Sequence, residues 1–290
     1  MSLDEAAAIR AQLLAGRAAP APPSLEARRQ GFEARWAQTP VPPEAHFEPD
    51  NALPGLWAVP PEPATDAAIL WLHGGAFVLG SSHSWRAFGA RLALASGARV
   101  FLLDYPLAPE HPFPAALDTS VEALALLMTR FPRLAVGGDS AGGNLAAAAV
   151  QQRLRDGAPV PVACVLLSPY LDLTHSGASV EERGARDPFV DPATMPQTAA
   201  TYAGNANPAD PRVSPLFGPV DDFPPTFIQV GEDEALFSDA ERFARRLPTV
   251  TFQEWVGMFH VWPLFADRLE EGRWALGQTG AFLQRQLLQA

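Results

Sequence analysis

Six short apolar runs alternate with helical patterns along most of the chain, and this alternation constrains the fold more than any other feature. The runs are bounded by Gly and Pro and are typical of buried strands. They span residues 67–72, 99–103, 134–136, 162–167, 226–230 and 250–255. Helical patterns lie between them, at 85–96, 115–130, 141–155 and 238–247. Because strands that alternate with helices form a parallel sheet with right-handed crossovers, we predict a doubly wound, mostly parallel α/β sheet flanked by helices.

Two regions interrupt this alternation. Near the start, residues 3–14 and 24–38 carry apolar residues at helical spacing, and the Pro-rich stretch 20–23 separates them. Later, the segment from 175 to 222 has no strand pattern, yet Asp191-Pro192, residues 193–203 and Gly204 have the residue types of a helix start, body and end. We interpret both regions as helical additions to the sheet.

Charge and cysteine content exclude several classes of function. The chain has 32 acidic and 21 basic side chains and a formal charge of -11, so we expect no nucleic acid or anionic membrane partner. Every basic residue is Arg, which excludes a lysine nucleophile. The single cysteine, Cys164, lies in an apolar run and has no partner for an intramolecular disulfide, so a cytoplasmic setting is expected. The N-terminal pattern does not fit a signal peptide, and no apolar run is long enough to span a bilayer.

The strongest chemical motif is Gly138-Asp139-Ser140-Ala141-Gly142, between the strand at 134–136 and the helix that starts near Ala141. This is the Gly-x-Ser-x-Gly pattern of a nucleophile elbow, in which small residues allow a sharp turn that exposes the serine. The start of the following helix favours a developing negative charge. We therefore predict that Ser140 is a nucleophile.

A second glycine-containing loop, His73-Gly74-Gly75-Ala76-Phe77, follows the strand at 67–72. Successive small residues expose backbone N–H groups near the same edge of the sheet, which is how an oxyanion hole is built. We expect donors from this loop and the N–H group of Ala141 to converge on one oxygen atom.

The general base is predicted to be His260, just past the last strand. The chain order of this kind of site is serine, acid, histidine, and His260 has the required position. The acid is ambiguous, because Glu232, Asp233 and Glu234 are adjacent after the strand at 226–230. Spacing alone does not choose among them.

Together these residues resemble the bacterial hormone-sensitive-lipase-like esterases, also called family IV carboxylesterases, which have the α/β-hydrolase fold. Four separated motifs carry the resemblance: His73–Phe77, Tyr105–Pro114, Gly138–Gly143 and Ser168–Thr174. With the His260 segment they cover most of the chain from 55 to 265. The resemblance implies N-terminal cap helices in residues 1–45 and a catalytic domain in 46–290, with a cap insertion at about 175–222.

The family also implies oxyanion donors from Gly75, Ala76 and Ala141, with Gly74 shaping the loop. Ala76 is a departure, because the family usually has a third Gly there, but a backbone donor survives the change. For the acid, the family pattern Gly-x-x-Asp-x-Leu places Glu234 at the Asp position when Gly231 and Leu236 are aligned. We therefore favour Glu234 and keep Asp233 as the alternative.

By this resemblance we expect an acyl-transfer enzyme acting on small hydrophobic esters of short to medium chain, without a metal or organic cofactor. Lactones and amides would use the same machinery, and a ligand-binding protein without catalysis is a further alternative. A homodimer is suggested by analogy alone. Aromatic candidates for the substrate pocket are Trp85, Phe189, Tyr202 and Phe217.

Overall fold

The computed structural model describes residues 3–18 and 24–288, so the Pro-rich stretch 20–23 lies outside the described residues. The helices are α1 Leu3–Ala18, α2 Leu25–Trp36, α3 Ser82–Ser96, α4 Ala115–Arg130, α5 Ala141–Arg155, α6 Ser179–Arg183, α7 Met195–Ala203, α8 Phe237–Ala244 and α9 Glu270–Leu288. The strands are β1 His46–Pro49, β2 Gly55–Val59, β3 Ala67–Leu72, β4 Arg99–Leu103, β5 Arg133–Asp139, β6 Ala163–Leu167, β7 Thr226–Gly231 and β8 Val250–Trp255.

In the described part of the chain the strands form one eight-stranded sheet, in the order β1-β2-β4-β3-β5-β6-β7-β8. Strand β2 is antiparallel to both of its neighbours, and every pair from β4 to β8 is parallel. The predicted mostly parallel α/β fold is confirmed. Strands β1 and β2 were not predicted. They extend the sheet beyond β4, where β1 is largely exposed and lacks an apolar run.

Helices cover both faces of the sheet. Helices α3 and α9 pack together on one face, and α4 and α5 pack on the other. Every residue of the central strand β3 is fully buried between them, which explains its uninterrupted apolar sequence. Burying one such side chain, for example Leu70, contributes roughly 1.5–3 kcal/mol relative to leaving it in water. The sheet is therefore a rigid support for the loops at its edges.

The inserted segment contains the helix that the sequence predicted, with a later start. Helix α7 begins at Met195 and ends at Ala203, and the N–H group of the next residue, Gly204, donates to the carbonyl oxygen of Ala200. Asp191 does not cap this helix. Its Oδ1 accepts the N–H group of Ala193 at 3.1 Å and forms a turn before the helix. Helix α6 was not predicted.

The N-terminal helix α1 is bound to this inserted segment. Arg17 donates to the carbonyl oxygen of Asp187 at 2.8 Å and to Oδ1 of Asp191 at 2.6 Å. Arg10, which lies earlier in the same helix, donates to Oδ2 of Asp233 at 2.7 Å and to the carbonyl oxygen of Gly257 at 3.0 Å. Two arginines thus attach α1 to three different loops. Within residues 3–18 and 24–288, no helix is both long and apolar enough to cross a bilayer.

Candidate active site

Four adjacent parallel strands end at the same edge of the sheet, and each is followed by a polar residue of the candidate site. Ser140 follows β5, Ser168 follows β6, Glu234 lies in the turn after β7, and His260 lies in the loop after β8. In open α/β sheets, ligands bind outside the carboxyl ends of the strands. Residues that are far apart in the sequence therefore meet at one place.

Ser140 occupies the sharp turn between β5 and α5. Its backbone has φ 53° and ψ -118°, a conformation that residues with a side chain rarely adopt. The turn is held by a hydrogen bond from the N–H group of Ser140 to the carbonyl oxygen of Leu167, at 2.9 Å. Close approach of the chain also requires Gly142, because a Cβ atom there would lie 1.9 Å from the carbonyl oxygen of Leu72. The elbow is therefore strained and tightly packed.

Gly142→Ala should destabilise the protein, since the added methyl group meets backbone rather than a movable side chain. We expect a loss of roughly 3 kcal/mol in the free energy of unfolding, measured by thermal unfolding followed by circular dichroism. Gly277→Ala is the matched control, because it lies exposed in α9 and its added Cβ would meet nothing within 4 Å. This control should gain about 0.5–1 kcal/mol. Equal unfolding temperatures for Gly142→Ala and wild type would contradict the packing argument.

His260 bridges the serine and a carboxylate. Its Nε2 atom lies 2.9 Å from Oγ of Ser140, and its Nδ1 atom lies 2.9 Å from Oε2 of Glu234. Burial by itself lowers the pKa of His260, but the hydrogen bond and charge of Glu234, together with the charges of Asp187 and Asp139, outweigh it, so the pKa of the imidazole is raised. The imidazole is thus held between a hydroxyl group and a carboxylate.

Glu234 is completely buried, and burial raises the pKa of its carboxyl group. Its second oxygen, Oε1, accepts the N–H group of Gly231 at 2.5 Å and the hydroxyl group of Ser168 at 2.7 Å. The hydrogen bonds to both oxygens lower the pKa of this carboxyl group, opposite to the effect of burial, and so favour the ionised form. Each carboxylate oxygen therefore has a donor.

The other two acidic residues of the turn face different partners. Asp233 forms ion pairs with Arg10 at 2.7 Å and with Arg186 at 3.0 Å. Glu232 accepts the N–H group of Gly257 at 2.8 Å. Of the three consecutive acids, Glu234 is the one that contacts His260.

The loop after β3 brings backbone N–H groups next to Ser140. Gly75 and Ala76 line the cavity beside the serine, with φ of 116° and 56°. Within the described ranges, the N–H groups of Gly75, Ala76 and Ala141 donate to no protein acceptor. The N–H group of Gly74 instead donates to Oδ2 of Asp139 at 3.1 Å. Gly74 therefore fixes the shape of the loop while its neighbours keep their donors free.

Asp139 was not singled out from the sequence. It is buried, and its Oδ1 atom accepts the indole N–H groups of Trp71 at 3.0 Å and Trp85 at 2.8 Å. Burial raises the pKa of Asp139 to about 7, against the effect of these donors. A carboxylate at the end of a buried strand, next to a predicted nucleophile, was the signal available in the sequence.

An apolar cavity of about 840 Å³, including its open mouth, leads to Ser140. Phe32 and Trp36 of α2 line one side, and Phe189 and Met195 of the inserted segment line another. Trp85 and Phe189 line the cavity, as the sequence suggested.

The other two aromatic candidates were wrong. Tyr202 is fully buried and stacks on Phe77, with 3.7 Å between ring centroids. Phe217 is 39% exposed and does not line the cavity.

Comparison with known proteins agrees with this fold. A family model described as alpha/beta hydrolase fold matches residues 69–264. An acetyl-hydrolase of Streptomyces hygroscopicus is 42% identical over 223 residues, which cover 74% of this chain and 75% of the relative.

Two solved structures are similar over nearly the whole chain. An esterase from the bacterial hormone-sensitive lipase family has 34% identity and a TM-score of 0.93, over 98% of both chains. The protein EstE5, in a crystal soaked with p-nitrophenyl butyrate, has 32% identity and a TM-score of 0.90, also over 98% of both chains.

Fold and relatives define the class of this protein, which is a carboxylic-ester hydrolase with the α/β-hydrolase fold. Within that class, the chain belongs to the hormone-sensitive-lipase-like esterases, or family IV carboxylesterases. The resemblance found in the sequence motifs is confirmed.

Proposed function

We propose that this enzyme hydrolyses small hydrophobic carboxylic esters of short to medium acyl chain through a covalent acyl-enzyme. The observation that carries this proposal is the continuous chain of contacts from Glu234 through His260 to Ser140, at 2.9 Å for each step, beside an apolar cavity. A serine hydroxyl group is a weak nucleophile until a base takes its proton, and His260 is within reach to do so.

In the first half of the reaction, Oγ of Ser140 attacks the ester carbonyl carbon while Nε2 of His260 accepts the hydroxyl proton. The tetrahedral intermediate collapses when the C–O bond to the alcohol breaks, and the alcohol leaves with the proton from His260. In the second half, His260 takes a proton from water, which attacks the acyl group. The carboxylic acid is released and Ser140 recovers its proton.

The N–H groups of Gly75, Ala76 and Ala141 are the proposed donors to the oxyanion. Gly75 and Ala76 lie on the loop that the hydrogen bond from Gly74 to Asp139 holds in place. Ala141 follows the turn at Ser140, which a hydrogen bond to Leu167 holds, so neither group of donors depends on the substrate for its position. Donors that are already in place stabilise charge in the transition state without reorganisation. Ala141 is also the first residue of α5, so the positive end of the helix dipole adds to their effect.

We assign the N-terminal helices (residues 1–45) and the insertion (about 175–222) to a cap over the catalytic domain (46–290). Phe32 and Trp36 from the first part, and Phe189 and Met195 from the second, line the cavity. The apolar lining favours a hydrophobic acyl or alcohol group. Both parts of the cap thereby contribute apolar side chains to the substrate cavity.

The proposal is tested by hydrolysis of p-nitrophenyl acetate, butyrate, octanoate and palmitate at neutral to mildly alkaline pH. We expect kcat/KM to be highest for acetate or butyrate, because a relative with 42% identity to this chain is an acetyl-hydrolase. It should fall at octanoate and be lowest for palmitate. Highest activity on palmitate would contradict the substrate class, and no turnover on any ester would favour the ligand-binding alternative.

A further inference from the structure

Ser168 is a buried residue of the site whose role the reaction scheme leaves open. It follows the last residue of β6 and has a left-handed backbone, with φ 47°. Its N–H group donates to the carbonyl oxygen of Gln229 at 2.8 Å, and its side chain is inaccessible to solvent. It does not line the substrate cavity.

The hydroxyl group of Ser168 joins the two loops that supply the acid and the base. Its Oγ atom lies 2.7 Å from Oε1 of Glu234 and 3.0 Å from the N–H group of Val261, the residue after His260. A backbone N–H group can only donate, so the hydroxyl oxygen accepts from Val261 and its single proton points to Glu234. The direction of both hydrogen bonds is therefore fixed.

We propose that Ser168 is a positioning residue that holds the acid and the base in register for proton transfer. This inference rests on the proposed function of Glu234 and His260. The serine acts on Glu234 directly, by donating to the oxygen that does not face the histidine. It acts on His260 through the backbone of Val261, which itself has a left-handed φ of 52°.

The hydroxyl group also stabilises a buried negative charge. Without it, Oε1 of Glu234 retains only the N–H group of Gly231 as a donor. Loss of a donor destabilises the carboxylate, and the Glu234–His260 pair then binds its proton more tightly. The acid limb of the pH profile should consequently move to higher pH.

Other charged groups around the pair remain unchanged when Ser168 is replaced. Asp187, from the inserted segment, and Asp139, from β5, both act to raise the pKa of His260. Asp233, in the same turn as Glu234, is neutralised by Arg10 and Arg186. A change in the pH profile can thus be attributed to the hydroxyl group.

The test compares Ser168→Gly, Ser168→Ala and Ser120→Ala on p-nitrophenyl butyrate across pH. Glycine adopts a left-handed φ without strain, so Ser168→Gly removes the hydroxyl group while the backbone remains favourable. Ser120 is equally buried but bonds within α4, to the carbonyl oxygen of Ala116 at 2.7 Å, and its variant is the matched control.

We expect both Ser168 variants to lower kcat by roughly 10- to 100-fold, with KM little changed and the acid limb moved to higher pH. Ser120→Ala should keep the wild-type kcat and pH profile. Wild-type kcat in folded Ser168→Gly, checked by circular dichroism, would overturn the proposal. Absence of serine-dependent hydrolysis in the wild type would instead refute the proposed function, so the two failures are distinguishable.

Discussion

Ser140→Ala should lower kcat for p-nitrophenyl butyrate by roughly 10⁴-fold or more. The variant removes the atom that forms the proposed covalent intermediate, while the proposed oxyanion donors and the cavity remain. The residual rate would come from those donors and from water activated by His260. Alanine has a Cβ atom like serine, so the backbone strain at this position is the same in both proteins and the unfolding temperature should change little.

This comparison needs a control for activity that is lost during preparation of a variant. Ser120→Ala, a variant of a buried serine that does not line the cavity, should retain full activity when prepared in the same way. A folded Ser140→Ala protein with more than about a tenth of the wild-type rate would show that another group attacks the ester. Burst kinetics of the wild type, with p-nitrophenol released ahead of the acid, would support the acyl-enzyme directly.

Glu234→Gln should lower kcat by roughly 10³-fold. The carboxylate satisfies donors on both sides, namely Nδ1–H of His260 on one oxygen and Gly231 and Ser168 on the other. An amide has only one oxygen. If that oxygen faces His260, the NH₂ group faces the N–H group of Gly231, and two donors oppose each other. If the amide is turned the other way, the NH₂ group faces the imidazole and disfavours the required tautomer.

Asp233→Asn is the matched control for the acid, because it changes the neighbouring residue in the same way. It weakens two partly exposed ion pairs, with Arg10 and Arg186, and exposed pairs contribute about 0.2–1 kcal/mol each. We expect kcat to remain within about threefold of wild type. If the effects of the two variants were reversed, Asp233 would be the acid and the arrangement seen here would not be the active one.

The acid shows where sequence reasoning stops. Three consecutive carboxylates follow the same strand, and spacing predicts that any of them could reach the histidine. The choice depends on partners that are remote in sequence: Arg10 draws Asp233 away, whereas Ser168 and His260 hold Glu234. Alignment with the family motif favoured Glu234, but the contacts of Arg10 with Asp233 and of Ser168 with Glu234 could not be predicted from the sequence.

The central strands could be predicted because both faces of the sheet are covered. Strands β3 and β4 have the predicted limits and are almost entirely buried. Strand β8 also has the predicted limits, but it is an edge strand with no buried residue, so its prediction as a buried strand was wrong. At the opposite edge, β1 has no apolar run and was missed. Of the aromatic residues predicted to line the pocket, Trp85 lines the cavity, whereas Tyr202 stacks on Phe77 in the core.

The residues with positive φ at this site lower the stability of the folded chain while they hold the geometry of the candidate active site. Ala76, Ser140, Ser168 and Val261 have positive φ although none is glycine, and each such residue costs on the order of 1–3 kcal/mol. Substitutions that relax Ser140 or Ser168 would stabilise the folded chain and would remove a hydroxyl group on which the proposed reaction depends. Selection for thermal stability alone would therefore favour substitutions in the active site that lower activity. Laboratory evolution of a more stable variant would need an activity screen in every round.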